Sequence, residues 1–151
     1  MDNNSNVNHL APRSHSNQLF KYLVDGKAQG AFEGGIYVAQ SAPFTEGYQS
    51  NSNLLASTTA RMHTKPQLLI YNDEVKCSHG ASTGQLDENA LFYMQQRGIP
   101  KDVARTLLMQ AFMSEVIDTI PVEGVKDRMR HLVEKRLSGD FMLCGECGSC
   151  K

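Results

Sequence analysis

The sequence predicts a mainly β chain with α-helices gathered at its C-terminal end, and three observations carry that expectation. From Gln18 to Gly80, short runs rich in Ile, Val, Tyr, Leu and Thr are broken every few residues by Gly, Ser, Asn or Pro. From Leu86 the apolar residues recur at three-and-four spacing, and Gly and Pro punctuate that region as helix stops and starts. Within the first region, runs at 36–38, 53–57 and 68–71 have centres about 16 residues apart, and runs at 45–49, 60–64 and 75–80 interleave at a similar interval. Two families of short strands are therefore expected. A hairpin sandwich would join consecutive strands by a regular series of Asn-Gly or Asp-Gly turns, which this stretch lacks, so a stacked parallel coil fits better. An irregular antiparallel sheet satisfies the periodicity nearly as well. In a stacked coil, Leu54, Leu69 and Ile70 would point inward.

The helical elements have local start and stop signals. Asp87 suits an N-cap, and the helix that follows should reach Gln96 and close at Gly98, where positive φ is free of a Cβ penalty. Pro100 suits the start of a second helix with the apolar stripe Val103, Leu107, Leu108, Ala111, Phe112 and Val116. Pro121 breaks that helix, and Val122, Val125, Met129, Leu132, Val133 and Leu137 form a third stripe ending before Gly139. The organisation expected is a strand region at 1–85, a helical domain at 86–138 and a flexible Cys-rich tail at 139–151. Amphipathic helices of this length are marginal alone, so their stripes must pack on each other, on the sheet or on a partner.

Composition narrows the function classes. Of 151 residues, 15 are basic and 16 acidic, for a formal net charge of -1, so the broad positive field of a nucleic-acid binder is absent. No apolar run approaches the roughly 20 residues that cross a bilayer, so no membrane association is expected. The polar, asparagine-rich start lacks the pattern of a signal peptide, which makes a cytoplasmic chain the expectation. The four cysteines are not spread like a disulfide framework.

Two stretches could carry chemistry. The run DEVKCSHGAS places Cys77 and His79 two residues apart in an expected strand, hence on one face. A thiolate and an imidazole there suit iron or zinc ligation or a nucleophile and base pair; a buried cysteine beside a backbone-bonded histidine is the alternative. The tail FMLCGECGSCK spaces Cys144, Cys147 and Cys150 by two residues with glycines between, giving three of the four thiolates of a cluster or zinc site. The fourth ligand would come from Cys77, a histidine or another chain, and a frayed terminus with redox-labile thiols is the competing reading. The phosphate loop, Gly-x-Ser-x-Gly and His-Glu-x-x-His motifs are absent, and no enzyme activity is expected. Adjacent Asp73 and Glu74 would face opposite sides of a strand, and His9, His15, His63 and His131 read as surface or turn residues.

From DEVKCSHGAS through TGQLDENALFYMQQRGIP, the sequence resembles the C-terminal part of the SufB/SufD family of iron-sulfur cluster assembly scaffold proteins. The resemblance extends through PRSHSNQLFKYLVDGKAQGAFEGGIYV, TEGYQSNSNLLASTTARMHTKPQLLIY and LLMQAFMSEVID, nearly all of residues 12–137. It is nearer the SufD branch, since Cys-Ser-His-Gly stands where SufB has Cys-Glu-His-Glu. Residues 50–53, where SufB carries a functional cysteine, are only Ser and Asn.

The resemblance implies the C-terminal turns of a right-handed parallel β-helix followed by a three-helix C-terminal domain. It implies a chain that pairs with SufB through the end of the β-helix and docks the ABC-type ATPase SufC through its helices. His79 stands where a SufD histidine joins a SufB cysteine in nascent cluster assembly, with Cys77 adjoining. The docking surface implied on residues 88–118 comprises Leu91, Phe92, Tyr93, Arg97, Ile99, Leu107, Leu108 and Phe112. The iron-sulfur cluster would be transient at the complex interface, with none held tightly by this chain alone. Family members are longer, so the chain corresponds to little more than their C-terminal third, and the three-cysteine tail lies outside the family pattern. The competing class is an autonomous metal-binding or redox protein using Cys77 and the tail cysteines.

Overall fold

A computed structural model describes residues 1–138 as six strands followed by three helices. The strands are β1 (Asp2–His9), β2 (His15–Val24), β3 (Gln29–Val38), β4 (Glu46–Leu55), β5 (Arg61–Ile70) and β6 (Lys76–Gln85). They form two parallel three-stranded sheets, in the orders β1-β3-β5 and β2-β4-β6. Parallel neighbours cannot be joined by a tight hairpin and need a crossover. Here each crossover is a strand of the other sheet. The registers run Val7, Ile36, Leu68 in one sheet and Ser16, Gly47, Cys77 in the other, so partners lie 29 to 32 residues apart.

The mainly β, partly α expectation holds, but the two families of strand were drawn wrongly. The runs at 45–49 and 53–57 fall largely in the two halves of the ten-residue β4, and those at 60–64 and 68–71 likewise divide β5. The 16-residue interval is therefore the step from one strand to the next, which lies in the other sheet. Asp25-Gly26 is the one Asp-Gly dipeptide in this region, and it is not a hairpin: it turns the chain between β2 and β3, with Gly26 at φ 63°. β1 escaped notice because its sequence, DNNSNVNH, is rich in a residue that disfavours strands; pairing with β3 supplies its order.

Corners repeat as the strands do. Gly26 O accepts hydrogen bonds from Ser57 Oγ and Thr59 Oγ1, each at 2.6 Å, tying one corner to its successor. At the opposite corner Ser41 Oγ donates to Leu10 O and Asn72 Nδ2 to Gln40 O. Arg13 and Phe44, at φ 58° and 59°, occupy equivalent corner positions, and the Arg13 guanidinium lies 5.7 Å from the Phe44 ring centroid. A left-handed non-glycine residue costs about 1 kcal/mol or more, so its recurrence shows that the corner geometry is set by stacking.

The interior combines two apolar clusters with a polar one. Tyr22, Val24, Phe32 and Ala60 form the first, with Phe20 packed 4.6 Å from Phe32 between ring centroids. Ile36, Val38 and Ala42 form the second, with Leu68, Val75 and Cys77 against it. Gln49, Asn51 and Asn53 on β4 are buried. Asn51 and Asn53 bond each other at 2.8 and 3.2 Å, Thr64 Oγ1 donates to Asn51 Oδ1, and Asn53 Nδ2 also reaches Ser82 O and Thr83 Oγ1. Leu54 is buried as expected. Leu69 and Ile70 are exposed instead: the half-buried face of β5 carries Met62, Thr64, Pro66 and Leu68, and Ile70 is at the strand's end.

The helices are α1 (Glu88–Gln96), α2 (Lys101–Ile117) and α3 (Glu123–Ser138). Asp87 Oδ1 accepts from the backbone N–H groups of Asn89 and Ala90, and Gly98, at φ 83°, follows the end of α1. The strands and helices separate into two compact units after Leu86. The buried face of α2 is turned from the stripe expected: Ala104, Met109 and Ile117 are buried while Val103 and Leu107 are exposed. Of the third stripe, Val122, just before α3, and Val125, Met129 and Leu132 within it are exposed, while Val133 and Leu137 are half-buried.

Candidate functional site

β6 is the outermost strand of its sheet, and among the described residues its outer edge has no strand partner. Alternation along β6 gives Cys77 and His79 the same face, opposite Gly47 and Gln49 of β4 in register. Their depths differ. The Cys77 side chain is half-buried against the Ile36, Val38 and Ala42 cluster. A Cβ on Gly47 would lie 3.3 Å from Cys77 Sγ, 3.4 Å from Ile36 Cγ2 and 3.6 Å from His9 Nε2, so the missing side chain relieves a close contact with the thiol while the imidazole lies at ordinary contact distance. His79, one inward position further along, is exposed.

His9 is the residue that sequence reasoning missed. It was expected at the surface or in a turn, but it ends β1 on the inward face, is 5% exposed, and places Nε2 2.9 Å from Ser16 Oγ. Burial, chiefly, and the charge of His15 push its imidazole below the ordinary histidine pKa. The signal was the alternation of Val7 and His9, which matches Ile36 and Val38 on the next strand of the sheet. His15, His63 and His131 are exposed. Asp73 and Glu74 lie in the corner between β5 and β6, not in a strand, so the alternation argument does not apply to them; Glu74 N donates to Asn72 Oδ1 at 2.8 Å.

The candidate docking residues separate by depth. Leu91 is 3% exposed and belongs to the interior, leaving it little surface to offer. Phe92 and Tyr93 are 62% and 60% exposed, and the Arg97 guanidinium sits 5.1 Å from the Tyr93 ring centroid. Leu107 is exposed; Ile99, Leu108 and Phe112 are half-buried. Between α2 and α3 runs an open groove of about 400 Å³ lined by Leu107, Ala111, Ile117, Arg130 and Val133 among others. Arg130 spans it, bonding Asp118 Oδ1 at 2.7 Å and Asp127 Oδ1 at 3.2 Å. Cys144, Cys147 and Cys150 lie outside the described residues. Among those described, no three His, Cys, Asp or Glu side chains are grouped to hold a metal ion, and no helix is long and apolar enough to cross a membrane.

Residues 1–112 match the family profile described as SUF system FeS cluster assembly, SufBD core domain. An iron-sulfur cluster assembly SufBD family protein of Synechocystis is 44% identical over 130 residues, covering 86% of this chain and 28% of that protein. The iron-sulfur cluster assembly protein SufD of Escherichia coli is 42% identical over 125 residues, 83% of this chain and 30% of that protein. SufD of Bacillus subtilis is 31% identical over 129 residues, with 85% and 30% covered. The chain thus spans under a third of the length of these curated relatives.

The lowered pKa of His9 gives a testable pH dependence. The unfolded chain takes up a proton at this histidine near the ordinary value, about 6.5, whereas the folded chain resists it until lower pH. The resulting stability is present above that value and is lost as pH falls through the lowered folded one. Thermal melts between about pH 8 and about pH 5 should show a steeper loss for the parent than for His9→Gln, which removes the titration. Identical slopes would contradict the assignment.

Proposed function

The chain belongs to the SufB/SufD family of the SUF iron-sulfur cluster assembly system, and from that premise we propose that it is a SufD-like, non-enzymatic scaffold subunit. It pairs with SufB, docks the SufC ATPase and works in the cytoplasm. The six strands are read as stacked turns of a right-handed parallel β-helix whose last coil, ending in β6, meets SufB. The observation that carries the proposal is the placing of His79: exposed, on the outermost strand, beside an edge with no strand partner among the described residues. An imidazole offers iron one lone pair, and a growing cluster needs further ligands from across an interface. A SufB cysteine supplies one in this reading. Cys77, packed against apolar side chains, supports the strand beneath.

Two experiments test the proposal. His79→Ala should leave the melt within about 0.5 kcal/mol of the parent, as an exposed substitution does, while lowering the yield of cluster on the complex with SufB and SufC. A normal yield would sink the assignment. The exposed aromatic pair Phe92 and Tyr93, with Arg97 over the latter, has the character of an interface anchor and is assigned to SufC docking. Replacing both aromatics by alanine should weaken SufC binding by roughly tenfold or more, measured by calorimetry. Leu91→Ala should act instead through folding, lowering stability by about 2–5 kcal/mol. Unchanged SufC affinity in the double variant would remove the docking surface from α1.

A further inference from the structure

We propose that the Gln49 carboxamide positions His79, fixing which imidazole nitrogen carries the proton and therefore which is free to bind iron. This rests on the reading of His79 given above, and it starts from a column of side chains inside the strand region. Gln18, Gln49 and His79 occupy equivalent inward positions on β2, β4 and β6. Paired strands lie about 4.8 Å apart, so successive side chains in such a column are within reach of one another. Gln49 is 3% exposed, and its Nε2 donates to Gln18 Oε1 at 3.3 Å. The amide chain then ends in two shielded atoms without partners, Gln18 Nε2 at one end and Gln49 Oε1 at the other.

The position of the Gln49 amide is built into the fold. On β3, in the other sheet, a Cβ at Gly34 would lie 2.5 Å from Gln49 Oε1 and 2.7 Å from its Nε2, so the glycine clears the space in which the carboxamide lies. An acceptor that water does not reach takes its hydrogen bond from the protein. The next side chain along the column, away from Gln18, is His79. His79 is the neighbour in register from which this proposal draws that hydrogen bond, one ring N–H donating to Gln49 Oε1 and leaving the lone pair on the other nitrogen. A histidine that binds metal through one nitrogen has its tautomer and ring orientation set by the hydrogen bond at the other. Gln49 is thus a positioning residue, and the iron ligand is His79.

The test reads the tautomer directly. In the full chain labelled with ¹⁵N at histidine, at about pH 8 where an ordinary imidazole is neutral, the two His79 ring nitrogens should show the well-separated shifts of one fixed tautomer. In Gln49→Met, which keeps the side-chain length but offers no acceptor, those shifts should collapse toward the average of the two tautomers. The yield of cluster with SufB and SufC should fall with them. Averaged His79 shifts in the parent chain would overturn the proposal without requiring any variant to fold. So would a parental cluster yield in Gln49→Met alongside a lost yield in His79→Ala. A parental yield in His79→Ala would bring down the reading on which the proposal rests, whatever the tautomer.

Discussion

Each of the first four strands is hydrogen-bonded to the strand after next, and everything else in the strand region follows from that parallel pairing. Residues about 30 positions apart are brought to the spacing of neighbouring strands, about 4.8 Å, and their side chains stack in columns. Register then decides composition, because a slip of one residue would exchange the interior and exterior of a strand. The column Ser16, Gly47, Cys77 carries a glycine in its middle, where an added Cβ would come 3.3 Å from the Cys77 thiol and press on it. The corners obey the same constraint, with a left-handed residue recurring at Arg13 and Phe44 and side-chain hydroxyls bonding the carbonyl of the preceding corner.

A stacked interior can carry polar groups if the stacking satisfies them. Asn51 and Asn53 bond each other and take partners from β5 and β6, so burying them leaves no loss of the about 1–3 kcal/mol that an orphaned polar group costs. Gln18 and Gln49 are exceptions, each with one amide atom shielded and unpaired, and the second of these is the Gln49 oxygen. That second exception falls next to His79 in register, at the last strand of the sheet, where the column opens to solvent. Burial accounts for the difference between the two residues of the Cys-x-His pair: the thiol is supported from beneath by apolar side chains, while the imidazole is presented.

The helices were legible because their signals are local. Asp87, Gly98 and Pro100 act on the backbone within a turn of where they stand, and the boundaries of α1 follow from them. The strands were legible in kind but not in extent. Gly34 and Asn51 look like breaks between strands, yet they are interior residues whose neighbours across the stack decide their place. Sequence pattern gave Cys77 and His79 a common face, since alternation is a property of the strand alone, but their depth depends on β3 and β4, far away in the chain. For the same reason the pattern did not separate buried Leu91 from exposed Phe92, nor place His9 inside. Those distinctions belong to packing partners, which no local signal encodes.

The central claim is that this chain contributes one side of a cluster-building site whose remaining ligands come from a partner. It is tested most directly by supplying iron and sulfide to the full chain alone and to the chain with SufB and SufC, then measuring bound iron and the sulfide-to-iron absorption. The account predicts cluster on the complex and no stoichiometric metal on the chain alone. Iron or zinc bound one to one by the isolated chain, with no further gain on adding partners, would contradict it.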